Sequence, residues 1–386
     1  MKNIFKFSML YAFILCMVSC QNELDVPLSS IPADDVTPNV TFVEALVAGT
    51  YAAMDGGNWQ NAASNWVYGG VASDNAYKGS DAGDQSDITE METYQSRATN
   101  GFFNSRWRGL YEGINRANTA LRIIESGLQS GDLNQSDANR LAGELRFLRG
   151  HYHFEAKKMW GNIPFVDENT TETPSNTIDA WPMIEDDFQF AIDNLPQTNS
   201  VVGRVGSWAA KAYLAKAHMY QLDYTAARPI LDDIIDNGPY NLNASFHDNF
   251  NAATNNSIES IFAVQYALDD GAGPGQNNAN YGDVLNFPHS ASPFGCCGFY
   301  QPSHDLVNAY LTNGMTGLPA HLADLASGLP LLGSLPTDPV DYVKSVDPND
   351  IIGTDPQGNP IPRNADDDMF VPELRPLDPR LDWTVG

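Results

Sequence analysis

Between residues 41 and 236, apolar positions return every three to four residues, which is the period of an amphipathic helix. Trp107, Leu110, Tyr111, Ile114, Ala117, Leu121 and Ile124 form one stripe over 103–126. A second helix is predicted over 137–160, with Leu141, Leu145, Leu148, Tyr152 and Ala156 inward and a stop at Trp160-Gly161 before Pro164. Three more follow: Trp181–Leu195, Trp208–Gln221 and Tyr224–Asp236. The last two carry the small-residue spacing of a tetratricopeptide-like hairpin: Ala209, Ala210, Leu214 and Ala217 answered by Tyr224, Ala226, Ala227 and Leu231. An earlier helix starts at Thr41, with Phe42, Leu46 and Tyr51 on one face. The predicted fold class is mainly α: a tetratricopeptide-like helical-hairpin scaffold decorated with long irregular loops and a few short strands.

Two regions break the rhythm. Residues 55–101 are rich in Gly, Asn, Asp and Ser, with scattered aromatics at Trp59, Trp66, Tyr68, Tyr77 and Tyr94. Beyond Tyr240 come long Gly/Pro-rich loops with a β-like run at Ser260–Tyr266. Loops of this length inside a compact domain are places where function sits. Two clusters stand out: Asn65, Trp66 and Tyr68 with Asp74, Asn75 and Tyr77, and Tyr281 with Phe299 and Tyr300. A sugar presents C–H faces that stack on aromatic rings and hydroxyls that bond Asp and Asn, so these loops suit a carbohydrate platform. Trp66, Asp74, Asn75, Tyr77, Tyr281, Phe299 and Tyr300 are the candidate ligand residues.

The first residues do not belong to this pattern. Lys2 and Lys6 precede an apolar run from Phe7 to Val18, followed by Ser19-Cys20. This is a secretory signal, shorter than the ~20 apolar residues of a membrane span. Met17-Val18-Ser19-Cys20 reads as a lipobox, with residues 1–19 cleaved and Cys20 acylated. Residues 20–40 then form a polar, proline-bearing tether. The mature protein is expected to be exported and tethered to a membrane surface by lipid.

The 386-residue chain carries a net charge of −27. Such a chain repels phosphate backbones, so nucleic acid is excluded as a partner. Of four cysteines, Cys296 and Cys297 remain once Cys16 and Cys20 are assigned to the leader and its lipid. They either close a strained vicinal disulfide or stay as two thiols. Enzyme signatures are missing: there is no HExxH, no G-x-S-x-G and no Walker A. His151 and His153, two apart on a helix, do not share a face and so do not pair as metal ligands. Asp366-Asp367-Asp368 reads as a solvated acidic turn. No cofactor is implied.

Four ordered segments resemble the SusD/RagB family of outer-membrane nutrient-binding lipoproteins. They are Trp107-x3-Tyr111-x2-Ile114-Asn115-x2-Asn118; Glu144-Leu-Arg146-Phe147-Leu148-Arg149 with Tyr152, Phe154, Glu155 and Trp160-Gly161-x-Ile163-Pro164; Gly203-Arg204 with Trp208, Lys211 and Leu214; and Leu377-Asp378-Pro379-Arg380-Leu381-Asp382-Trp383. The resemblance implies one SusD-like helical domain over 41–386, lipid-anchored at the outer membrane and facing outward. It implies capture of an oligosaccharide, or of a peptide in some members, and delivery to a SusC-like TonB-dependent transporter, without catalysis. A surface glycoside hydrolase is the alternative of a different class. The family continues past the fourth motif into a final helical pair, so that pair is expected to be missing here. Trp107, Trp160, Trp208 and Trp383 are expected in the core, and Arg146 and Arg149 in structural ion pairs.

Overall fold

The computed structural model describes residues 37–56, 60, 65–81, 83–265, 298–303, 305–306, 351–354 and 360–362. Seven α-helices are found among them: α1 (Val40–Tyr51), α2 (Ser86–Glu92), α3 (Gly101–Ser130), α4 (Gln135–Trp160), α5 (Trp181–Asn194), α6 (Ser207–Tyr220) and α7 (Tyr224–Asn237). Capping residues set the starts. Asn39, Asn100, Asn134 and Asp223 each accept a hydrogen bond from a backbone N–H of the first turn of α1, α3, α4 and α7. Thr41, expected as the first cap, lies one residue inside α1.

From α3 to α7 each helix packs on the next, and α1 lies against α3 and α4. This is the expected scaffold of stacked helical hairpins. Leu141, Leu145, Leu148, Tyr152 and Ala156 of α4 are buried, as their spacing requires. The inward face of α1 is rotated from the expected one: Val43, Val47 and Thr50 are buried, not Phe42 and Leu46. Tyr152 and Phe147 centre one core with Phe154, Ile184 and Phe188. A second core joins α1, α3 and α4.

Polar staples lock the helices together. Asp187 of α5 is fully buried and receives Arg149 at 2.7 Å and Arg146 at 2.7 Å, both from α4. Arg149 also donates to Asn118 of α3 at 2.9 Å and pairs with Glu168. Buried Glu144 accepts from the Tyr51 hydroxyl at 2.9 Å and meets Arg204 at 3.3 Å. The Val205 N–H returns to the Tyr51 oxygen at 3.0 Å. Burial raises the Glu144 pKa and outweighs the opposing charge of Arg204.

Strand content is small. β1 (Ala76–Lys78) pairs antiparallel with β2 (Tyr300–Pro302), and β3 (Ile351–Thr354) with β4 (Pro360–Pro362). The β-like run at Ser260–Gln265 is irregular backbone, not a strand. The loop region 55–101 is more structured than expected, with a π-helix at Trp66–Val71 as well as β1 and α2. Among the described residues no helix is long and apolar enough to cross a membrane.

Candidate functional site

The site is assembled by backbone pairing between two distant loops. Tyr77 sits opposite Gln301, Lys78 opposite Tyr300, and Ala76 opposite Pro302. The Gly79 N–H donates to the Phe299 carbonyl at 3.1 Å, and the Ser303 N–H to the Asn75 carbonyl at 3.0 Å. The Ser303 hydroxyl donates to the Asp74 carbonyl. The two sequence clusters thus form one face, with Asp74, Asn75, Tyr77 and Gln301 exposed. Tyr77 is 46% accessible, and alternation along the short strand turns it outward while Ala76 and Lys78 turn in. Tyr300, opposite the inward-turned Lys78, is half-buried and packs on the small core below the sheet, and burial raises its phenol pKa. Tyr94, 74% accessible, brings its hydroxyl to the Ala72 carbonyl and adds a second open ring to the neighbourhood.

Glycines permit this close approach. A Cβ at Gly79 would lie 1.6 Å from the Gly298 carbonyl oxygen, and one at Gly70 would lie 2.0 Å from the Tyr300 hydroxyl. Beneath the sheet, Trp66, Val67, Val71, Ile88, Met91, Phe102 and Phe299 make a small core of their own. Trp66 and Phe299 are 4% and 2% accessible, with ring centroids 6.2 Å apart. This corrects two of the sequence candidates: these rings are covered by apolar neighbours and support the face from below. Tyr281, Cys296, Cys297 and Cys20 lie outside the described residues, as does Trp383.

The loop is tied to the scaffold through one charged cluster. Arg106 of α3 donates to Asn65 Oδ1 at 2.7 Å, and Asn65 Nδ2 donates to Glu155 of α4 at 3.1 Å. Asn65 adopts a left-handed backbone, which an Asn tolerates, and launches the π-helix that carries Trp66. Burial alone would raise the Glu155 carboxyl. The charges of His151, Lys158 and Arg106 outweigh it and hold the pKa at about 2.

Two further concavities were not legible as sites. A groove of about 760 Å³ runs along Gln60, Asn104, Trp107, Arg108, Tyr111 and Glu112. Trp107, expected in the core, is half-buried there, stacked on Tyr111 at 4.4 Å and edge-on to Trp160 at 5.0 Å. Trp208 is buried as expected. A polar cleft of about 510 Å³ is lined by Asn249, Asn255, Asn256, Glu259 and Gln265. The signal for it was the amide-rich run from Asn249 to Asn256, which contains Phe250 and follows Phe246. His153 is no metal ligand. Its Nδ1–H donates to the Arg149 carbonyl at 3.1 Å, and its Nε2 accepts the Val166 N–H at 3.1 Å. No metal-binding group of His, Cys, Asp and Glu occurs among the described residues.

A stacked helical-hairpin scaffold carrying a loop-built polar and aromatic face defines the class. Comparison with known proteins makes it specific. Residues 28–219 match the SusD-like family model described as "Starch-binding associating with outer membrane". A "SusD-like protein" of Bacteroides ovatus is 27% identical over 194 residues, covering 46% of this chain and 35% of the relative. "SusD-like protein P25" of Formosa agariphila is 26% identical over 175 residues, covering 42% of this chain and 32% of the relative. The matched segments thus span about a third of these curated relatives. Among solved structures, a "Laminarin binding SusD-like protein" superposes with a TM-score of 0.62 at 22% identity, covering 75% of this chain and 68% of that one. Surface glycan-binding protein A from Bacteroides thetaiotaomicron, solved with laminarihexaose, gives 0.58 at 21% identity, covering 75% and 67%. The structures speak for the fold. The chain belongs to the SusD-like family.

Proposed function

We propose that this protein captures oligosaccharides on the β1–β2 face and hands them to a SusC-like TonB-dependent transporter, while Cys20 anchors it by lipid to the outer membrane. The observation that carries the reading is the cross-strand pairing that gathers exposed Asp74, Asn75, Tyr77 and Gln301, with half-buried Tyr300 on the inner side beneath them, from segments more than two hundred residues apart. The exposed Tyr77 ring offers a stacking surface, and the acid and amides beside it bond hydroxyls. The protein binds its ligand without cleaving it, in keeping with a family described by starch binding. The laminarin ligands of two structural neighbours make a laminarin hexamer the first probe.

The test is calorimetric titration of wild type, Tyr77→Ala and Tyr300→Ala with that hexamer and with a malto-oligosaccharide. Losing one stacking ring costs about 1.4 kcal/mol or more, a tenfold weakening. Tyr77→Ala should show it with an unchanged melting temperature. Normal affinity in both variants would remove the face from the reading.

A further inference from the structure

A cavity of about 210 Å³ lies within the helical scaffold behind the face, between α3, α4 and α6. It is lined by Asn65, Arg106, His151, Glu155, Lys158 and Lys216, with Tyr213 and Phe262 among its apolar walls. In a chain of net charge −27 this lining is an exception, with three cationic side chains against the single carboxylate of Glu155. Glu155 is fully engaged: Lys158 meets it at 2.6 Å, Arg106 at 3.3 Å and Asn65 at 3.1 Å. Lys216 has no carboxylate partner among the described residues. Its ammonium lies 5.6 Å from the Phe154 ring centre, and the Lys158 ammonium lies 5.1 Å from that same ring. Two like charges that line the cavity therefore converge on one buried aromatic ring beside it. Lys216 is exposed as a residue, yet partial desolvation first and the neighbouring Lys158 charge second depress its pKa. The buried His151 Nδ1 has no hydrogen-bond partner. Buried polar atoms in native proteins are paired with few exceptions, so an orphan beside uncompensated positive charge calls for a ligand.

We infer that this cavity binds an oxyanion, a carboxylate or sulfate, held between Lys216, Lys158 and the His151 ring. The volume is below the roughly 300–1,000 Å³ of pockets that take drug-sized ligands. It suits one small anion or one acidic sugar unit, not a chain. Ligand charge would offset the repulsion between the two ammonium groups, and the oxygens would accept from Nδ1–H. The site is separate from the β1–β2 face and stands or falls independently of the glycan reading.

The experiment follows thermal unfolding and calorimetric binding of the full chain with sodium sulfate, sodium glucuronate and neutral glucose, at ionic strength matched by sodium chloride. Lys216 lies at the exposed end of the lining, so Lys216→Met should leave the fold and the melting temperature in chloride intact. Wild type should rise by about 2 °C at tenfold excess over Kd with at least one oxyanion, and not with glucose. Lys216→Met should bind roughly tenfold more weakly, and His151→Gln should weaken as well. Tighter binding of glucuronate than of sulfate assigns the site to an acidic sugar, and the reverse order to a free oxyanion. The inference is overturned if neither oxyanion exceeds chloride, or if Lys216→Met responds as wild type does.

Discussion

Replacing Gly79 by alanine tests the assembly of the proposed binding face at its tightest point. The new Cβ would stand 1.6 Å from the Gly298 carbonyl oxygen and 2.7 Å from its carbon. Both are backbone atoms, so no rotamer change relieves the clash. The two segments must part by about 1.4 Å to reach even the 3.0 Å limit of real Cβ contacts. Such a shift breaks the bond from residue 79 N–H to the Phe299 carbonyl, worth about 0.5–1.5 kcal/mol net. It also lifts Phe299 out of the small core, forfeiting much of the roughly 1.5–3 kcal/mol of a buried Phe. Together the local opening free energy should fall by about 2–4 kcal/mol. Hydrogen exchange measures it directly at the Ser303 N–H, which bonds the Asn75 carbonyl. Protection there should drop roughly 30- to 700-fold. Gly83→Ala is the control, because a Cβ there meets nothing within 4 Å. Ser303 protection retained within threefold in Gly79→Ala would refute the pairing of β1 with β2, and with it the shared face.

Three other expectations follow from the same interactions. Gly70→Ala pushes a Cβ into the Tyr300 hydroxyl at 2.0 Å; oligosaccharide affinity should fall about as far as in Tyr300→Ala, and an unchanged affinity would show that Tyr300 contributes nothing. Asp187→Ala strands Arg146 and Arg149 without their shared carboxylate and should cost about 3–5 kcal/mol in denaturant unfolding; a loss under 1 kcal/mol would contradict its role as the α4–α5 staple. His153 is held neutral because burial first, and the Arg149 charge second, press its pKa down to about 3 from 6.5. The unfolded chain therefore binds the extra proton between these values. The stability His153 contributes is complete above pH 6.5 and is lost as pH falls toward 3, about 2 kcal/mol of it by pH 5. A His153→Gln variant should lose that part of the slope in pH-dependent melting, whereas an unaltered slope would place the titration elsewhere.

The helical frame was legible because helices α3 to α7 are local in sequence. Each amphipathic stripe, cap and stop signal sits within the helix it specifies, and the predicted limits differ from the observed ones by a few residues. The face was half legible. Its residue types announced a carbohydrate platform, but the orientation of each ring depends on contacts with no local signature. Trp66 and Tyr77 looked equivalent as loop aromatics; one ended under the sheet and the other on top of it. What separated them was the pairing with residues 300–302, over two hundred positions away. The cationic cavity went unread for the same reason, whereas the amide cleft is local, lined within residues 248–265, and its amide-rich run was a signal left unused. Lys158, Lys216 and His151 read separately as ordinary helix residues and meet only when α4 packs against α6.

The residues that reveal the family are not those expected to choose its ligand. Arg149 and Glu144 from the second segment, Asn118 from the first and Arg204 from the third are consumed by buried ion pairs and hydrogen bonds between helices. Such groups are expensive to leave unpaired, so they fix the sequence wherever the scaffold is kept. Glu155 joins the two layers. It belongs to the second segment, yet it holds Asn65 and so aims the π-helix beneath the face. On the proposed reading, ligand choice falls to exposed positions such as Asp74, Asn75, Tyr77 and Gln301. A SusD-like frame that is little over a quarter identical to a relative would, on the same reading, leave its exposed loop positions free to differ. On this argument, exchanging residues 74–77 together with 300–301 should alter glycan preference without loss of stability, whereas exchanging Glu155 should disturb both.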